Sequence, residues 1–491
     1  MGISFFLYTS LLIFIGLLIV SFSRAGLIFL ILLPASQMLG FLDPMAIAIK
    51  GVFDIHALIA MILTAALLFS IAHYKDLSRA TLLKPMLILV AFWFFGVIYP
   101  VWRGHSSLFY SLKASKEFLM IFSYFAVFLF LRTEKEVKWG WYCLLSLGFY
   151  YVVLEIAAQV FGSSLLSHLT FSYRKEAFIF WKVYPQFWPV IVIALLHSYY
   201  ESIFCQKPTY LRTALGCLGL LLTFFRSYLL ATIAVVPSML LLSRQGFGRT
   251  FARSFVLVSS VSLAVVLIVL LTGGGIEKIE NLSNEFVFSG MTELATHSGG
   301  ALVGREVFAK PRREMIGKSP YTGYGFIDKD SKYGLLIRKQ LIGETLGFID
   351  KGDVDVALKF GYLGGAFLYG TIIYIIIVLI RLVRKKLSPQ LSVRCLTMAS
   401  VLMIFLLVQP VHAPLSYSFG LLPLCIALAL IEKEVFLISK NDSGASETRE
   451  RSIFFEQGKA DSEIQILSVG QFKKKKYTLL NHPGDQKKEL L

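Results

Sequence analysis

Charge is scarce in this chain of 491 residues: 16% are Asp, Glu, Lys or Arg, against 56% hydrophobic. An ordinary soluble domain carries about 25% charged residues, so a soluble globular protein is excluded. Acid is the scarcer sign, with 31 acidic against 48 basic residues and a formal net charge of +17. That excess does not point to nucleic acid. Much of it sits in short loops between apolar runs and in the tail, where basic residues set membrane topology. Cysteine is also rare. Cys143, Cys205, Cys217, Cys395 and Cys425 lie in apolar runs or at their ends, none with metal-ligand spacing. Neither a disulfide framework nor a metal centre is expected. Histidines are few and dispersed. His297 is the one in the largest polar segment, and His105, His168 and His412 each stand without a partner motif. P-loop and nucleophile-elbow patterns are missing. No small-residue cleavage site follows the first apolar run, which therefore reads as an anchor and not as a removed signal peptide. No internal repeat is strong enough to use.

What is present is a succession of apolar runs of about 20 residues, the length that crosses a bilayer core as a helix. The short alternating segments of a membrane β-barrel do not appear. The expected fold class is an all-α polytopic membrane protein. Spans are expected at roughly 3–22, 25–42, 55–73, 84–102, 118–131, 139–162, 185–204, 210–225, 227–243, 254–273, 360–383, 394–411 and 416–438, about twelve or thirteen in all because some are short.

Basic loops fix the orientation. They gather around Lys75, Arg79 and Lys84; Arg132, Lys135 and Lys138; Lys207 and Arg212; Arg244, Arg249 and Arg253; and Arg381 to Arg394. They alternate with less basic loops and so belong to the cytoplasmic side. Residues 103–117, 163–184, the Phe225–Ser227 turn and 274–359 then lie outside. The expected organisation is a helix bundle over 1–273, a large extracytoplasmic loop over 274–359, further spans over 360–438 and a cytoplasmic tail over 439–491. The tail carries Lys473 to Lys476 and reads as disordered or bound to the membrane surface.

The long polar insert from Ala301 to Gly365 is where chemistry or recognition is expected. Within it, Val303 to Ile316 reads as an amphipathic helix interrupted at Pro311, and Leu335 to Leu346 as a second helix. Pro320-Tyr-Thr-Gly323-Tyr-Gly325-Phe326 reads as a glycine-rich turn. Arg226 stands between two apolar stretches. An arginine at membrane depth is either an anchor snorkelling at a helix end or a phosphate-binding guanidinium in a polar cavity. Arg305, Arg312 and Arg313 are either a solvated basic helix or ligand contacts; Arg313 fits the solvated reading, and Arg305 and Arg312 are carried as substrate-binding candidates. Asp350, Asp353 and Asp355 crowd the entrance of the next span. Helix capping accounts for one of them. A general base near a low-dielectric boundary accounts for another, and Asp350 and Asp353 are the catalytic candidates. Asp328 and Asp330 read as solvated turn residues. Asp353-Val-Asp355 has the spacing of a metal and nucleotide-sugar motif but falls outside, where nucleotide sugars are absent. That favours a lipid-linked donor.

These residues carry a resemblance. Thr223-Phe-Phe-Arg226-Ser, then Gly304-Arg305, Met315-Ile316 and Pro320-x-x-Gly323-Tyr-Gly325-Phe, then Phe360-Gly361-x-x-Gly364, resemble the motifs of the O-antigen ligase and polysaccharide polymerase superfamily of bacterial inner-membrane proteins. The resemblance implies a glycosyltransferase C-type fold, with Arg226 and Arg305 at the positions of arginines that hold a diphosphate. It implies an undecaprenyl-diphosphate-linked oligosaccharide as donor, with membrane lipids and a chain-length regulator as further partners, and neither cofactor nor metal. Phe225 replaces the family's usual serine. Ligases carry His-Asn shortly before the Gly-x-x-Gly, whereas Asp350-Lys351 fills that slot here. The family histidine therefore has no counterpart, and the pattern leans towards a polymerase over a ligase.

Overall fold

The computed structural model describes residues 23–40, 54–162, 172–176, 180–184, 188–223, 226–243, 300–340, 351–385 and 387–440, together with residues 165 and 259. The chain divides into two units, Met1–Val435 and Phe436–Leu491. Of the second, only the end of a helix is described.

The first unit is built from helices, most of them apolar, with those over Gly300–Lys318 and Lys332–Gln340 polar. They are α1 Gly26–Ala35, α2 Ile55–Phe69, α3 Leu83–Trp102, α4 Leu108–Ala114, α5 Phe122–Phe130, α6 Glu134–Phe161, α7 Pro189–Phe204, α8 Tyr210–Leu222, α9 Arg226–Leu242, α10 Gly300–Lys318, α11 Lys332–Gln340, α12 Gly352–Arg384 and α13 Pro389–Val408. A last helix, α14, occupies 418–440. Their starts follow local chemistry. Asp54 accepts from the Ala57 N–H at the head of α2, and Thr133 and Glu136 close a capping box at α6, each satisfying N–H groups that the first turn leaves orphaned. α13 opens on Ser388 and Pro389 and stops just before Pro410, which cannot continue a helix.

This is a helical membrane protein. Among the described residues four helices are long and apolar enough to cross a bilayer: α3, α6, α12 and α13. α2 would make a fifth if joined to the 3-10 helix Ile71–Arg79, from which it is bent by 88°. The spans expected at 118–131, 185–204, 210–225 and 227–243 appear as shorter apolar helices of 10–17 residues. Those expected at 3–22 and 254–273 lie outside the described residues. Among the described residues one element is not helical: an antiparallel pair of strands, β1 Ser172–Glu176 and β2 Phe180–Tyr184, inside the segment 163–184.

Packing distinguishes two ends. At one end, the Glu432 carboxylate of α14 caps the start of α3 through the Thr81 and Leu82 N–H groups (2.5 and 2.9 Å). Arg394 of α13 pairs with Glu434 and lies over Trp141 of α6, and Arg384 of α12 donates to the Leu242 carbonyl of α9. At the other end meet the last turns of α3, the start of α12, the end of α13 and the start of α14. Exposed aromatic side chains ring both: Tyr74, Trp139, Tyr142 and Tyr210 at the first, Trp102, Phe109, Tyr321 and Tyr362 at the second. The 20 residues of α3 span about 30 Å at 1.5 Å per residue, close to the thickness of a hydrocarbon core. Exposed aromatic side chains near both ends of such helices are what membrane–water interfaces select.

Candidate functional site

The second end is organised by two glycine motifs that clasp each other. Gly361 has φ 69° and ψ 178° and breaks α12 into a short segment, 352–360, and the long helix beyond. In an unbroken helix the Tyr362 N–H would bond the Leu358 carbonyl. Here it turns to the Pro320 carbonyl (2.7 Å), and the freed Leu358 and Lys359 carbonyls accept from Tyr324 and Gly325 N–H (2.9 and 2.8 Å). The Phe326 N–H donates to Gly96 O of α3 (2.7 Å). Gly323 and Gly325 also hold positive φ, 63° and 72°, a conformation that glycine alone adopts freely. A Cβ at 323 would sit 2.6 Å from Gly361 N, and one at 361 would sit 2.3 Å from the Tyr321 carbonyl. The backbones therefore meet only because neither position carries a side chain. Phe326 packs against Phe118 and Phe360, and Tyr99 of α3 bonds Thr322 (2.9 Å).

α10 lies on this clasp. Ala309, Met315 and Ile316 form a small core with Tyr324, Val354, Ala357 and Leu358, and the Tyr324 hydroxyl donates to the Met315 carbonyl (2.9 Å). The helix runs unbroken through Pro311, contrary to the interruption expected there. Pro311 removes a donor from the Val307 carbonyl, and Val307 is 63% exposed, so the lost bond falls on the outer side of the helix. Positions 305 and 312, two turns apart in a continuous helix, consequently share one face. Arg312 is 2% exposed, among the largest fully buried side chains of the protein. Arg313 is exposed and pairs with Glu306, which also binds Lys351 at the head of α12. Lys351, ahead of Arg313, holds the Glu306 carboxyl below its ordinary range.

The carboxylates of α12 have separate fates. Capping by Asp was expected, but the N-cap is Lys351, with no side-chain cap, and Asp353 and Asp355 stand in the first turn. Asp355 is buried and bonds Lys359 (2.6 Å), whose ammonium lies 5.6–6.0 Å from the Phe118, Phe326 and Tyr417 rings. Asp353 is half-buried, and its Oδ1 has no hydrogen-bond partner among the described residues. Asp350 lies outside the described residues. Asp328 is not the solvated turn residue expected. It is 8% exposed and, with the exposed Asp330, binds Lys113 of α4 (3.3 and 2.7 Å). Lys113 in turn keeps the Asp330 carboxyl below its ordinary range.

A further polar cluster ties α2, the α4–α5 junction and α14 together, and no sequence motif announced it. His56 Nε2 lies 3.0 Å from Ser418 Oγ and 3.2 Å from Glu117 Oε1, with Asp54 Oδ1 3.7 Å from Nδ1. Asp54 also binds Lys116, and Glu117 Oε2 accepts the Ser418 N–H (2.7 Å). Ser, His and Asp in this order suggest a nucleophilic triad. Glu117, however, occupies the ring nitrogen that would have to accept the serine proton. Two carboxylates flanking one imidazole favour its charged form, so the group is an ion cluster that fastens three helix ends.

The remaining candidates are placed as follows. Arg226 is the first residue of α9. Two residues on, Tyr228 packs edge-on to Trp188 and lies 5.4 Å from His412, which puts the start of α9 at the clasp end. Arg305 is in α10. His105 stacks on Tyr333 at 4.2 Å; His168 and His297 lie outside the described residues. All five cysteines are free. No protein-family model matches this chain, and comparison with curated proteins finds no match.

Proposed function

We propose that the protein is a polysaccharide polymerase of the bacterial inner membrane, with the clasp end facing outwards. The acceptor hydroxyl of one lipid-linked repeat unit attacks the anomeric carbon of a glycan on undecaprenyl diphosphate. The carbon–oxygen bond to the diphosphate breaks, and the hydroxyl proton passes to an outer carboxylate, Asp350 or Asp353. Arg226, Arg305 and Arg312 stabilise the charge developing on the leaving diphosphate, the main electrostatic task in such a transfer. This reading carries with it a glycosyltransferase C-type fold, about twelve or thirteen spans and an extracytoplasmic loop over 274–359.

The observation that carries the proposal is the clasp. It joins Pro320–Phe326 to the Gly361 break and sets a buried arginine in α10, the head of α9 with Arg226, and Asp353 at one end of the bundle. Segments that the basic-loop alternation assigns to the outer side gather there, from 103–117, 274–359 and the turn before α14. The opposite end holds the basic residues of 75–84, 132–138, 207–212 and 381–394.

A ligase transferring glycan to lipid A core or protein would share this chemistry, but Asp350 stands here in the slot where ligases carry a histidine. Transport without bond chemistry has one feature in its favour, the broken helix α12 with carboxylates in its short half, an arrangement that transporters use. Purified protein in vesicles, supplied with lipid-linked oligosaccharide, separates the three. A ladder of products is the polymerase result, a single transfer to an added acceptor the ligase result. Glycan crossing the membrane unchanged would overturn the enzymatic reading.

A further inference from the structure

We infer that Gln409 and Asp353 form a hydroxyl-binding site for the sugar of the acceptor, an inference that rests on the polymerase reading. Gln409 ends α13 and is 2% exposed. Its carbonyl accepts the Gly352 N–H (2.9 Å), which pins the end of α13 to the head of α12. Its side chain lies across Gly352. A Cβ there would be 2.2 Å from Gln409 Nε2 and 2.8 Å from Ala413 Cα, so the glycine makes room for the amide. Yet among the described residues Nε2 has no hydrogen-bond partner, and Oε1 reaches only the Leu415 N–H at 3.5 Å. One residue from Gly352, Asp353 Oδ1 is buried and likewise unpartnered. The Tyr369 hydroxyl is also buried; it lies within the field of Asp353 and Asp355 and close enough to the Gln409 side chain to interact with it, though not in good hydrogen-bond geometry.

Buried polar atoms are nearly always hydrogen-bonded, and leaving them unmade is costly. Here an amide donor, a carboxylate acceptor and a phenol that can do either converge at the joint of α12 and α13. That set matches a sugar hydroxyl, which donates and accepts at once. A diphosphate would need donors alone and would be repelled by Asp353. The site therefore belongs to glycan and not to the lipid diphosphate, and it would hold the acceptor's hydroxyl next to the carboxylate that takes its proton. Gln409 is then a positioning residue.

The test is binding by purified full-length protein in detergent. The probes are lipid-linked oligosaccharide extracted from the producing cells and undecaprenyl diphosphate without glycan. Gln409→Leu is expected to weaken the glycan-bearing lipid about tenfold, the loss of one hydrogen bond, and to leave the bare lipid diphosphate unchanged. Asp353→Asn is expected to do the same. Melting temperatures guard against a folding effect. Gln409→Leu leaves the buried Leu415 N–H without its 3.5 Å acceptor, so a small fall in melting temperature is expected, and selectivity between the two probes separates lost glycan binding from a folding effect. Parent-like affinity of both variants for the glycan-bearing lipid, or a lowered melting temperature with both ligands weakened alike, would overturn the inference and leave the polymerase reading standing. A parent protein that binds neither probe would overturn that reading and the inference with it.

Discussion

The two ends of this bundle solve the same problem in opposite ways. At the end that holds Arg394, Glu432 and Glu434, nearby charges meet partners and cap helices. Glu201 there takes both Lys207 and Arg212. At the other end, backbone replaces side chain. Gly323, Gly325 and Gly361 bring a loop into the gap of a broken helix, and beside it Asp353 Oδ1 is buried with no hydrogen-bond partner among the described residues. Buried polar atoms without a hydrogen-bond partner among the described residues occur at both ends, Arg394 Nε, Arg132 Nε and Trp141 Nε1 at the first, so what sets the second apart is its backbone. An end that admits only glycine at three positions and breaks a helix to receive a loop keeps a local conflict of the kind expected at functional sites.

The largest effects are expected at the clasp end. Arg226→Ala and Arg305→Ala should each abolish glycan ladders while the protein stays in the membrane, since each charged hydrogen bond to diphosphate contributes about 1.5–3 kcal/mol. Lysine at either position should recover only part of the activity, because a point charge cannot reproduce the planar fork. Normal ladders from an alanine variant would remove that residue from the site.

Asp353→Asn comes next. Loss of a general base typically lowers turnover about 10²–10⁴-fold. Parent-like turnover would move the role to Asp350, which stands two residues before the described start of α12.

Gly361→Ala and Gly323→Ala should each destabilise the protein by about 1–3 kcal/mol, the cost of a strained backbone, with more from the clash. Gly317→Ala and Gly370→Ala are the controls. A Cβ at either would meet nothing within 4 Å, and in a helix alanine should be neutral or stabilising by up to about 1 kcal/mol. Equal melting temperatures for all four variants would dissolve the clasp. The opposite end should show the converse pattern. Arg394→Ala breaks a buried pair, a loss of about 3–5 kcal/mol, yet turnover per folded molecule should match the parent.

The smallest effect is one of pH. Burial alone would raise the Glu117 carboxyl, but His56 and Ser418 override it and hold it near 2, below its ordinary 4.5. A carboxyl lowered in the folded state stabilises fully above its unfolded value and loses that stabilisation as pH falls. Melting temperature should therefore decline between pH 4.5 and 2, and Glu117→Gln should flatten the decline. An unchanged slope in that variant would show that other carboxylates govern it.

Much of this division was legible in the sequence. Apolar length marked α3, α6, α12 and α13, and the alternation of basic loops sorted loops into the two groups that meet at the two ends. The glycine spacing in 320–326 and 360–364 marked both halves of the clasp. What sequence could not show was that the halves belong to each other, because the bonds joining them are backbone bonds across more than thirty residues of chain. Asp328 looked like a loop residue since nothing local reveals Lys113. Pro311 looked like an interruption because position alone does not say which side of a helix can lose a bond. Gln409, an ordinary polar residue at a helix end, carries no motif at all. Its burial against Gly352 depends on where α13 meets α12.

The most direct test of which end works outside is thiol labelling in intact cells with a membrane-impermeant maleimide. Tyr321, 73% exposed on the clasp loop, and Tyr210, 63% exposed at the head of α8, are each replaced by cysteine in a background without the native thiols. Labelling at 321 and protection at 210 is the expected result. Labelling at 210 with protection at 321 would place the clasp in the cytoplasm, where no outward-facing polymerase could use it.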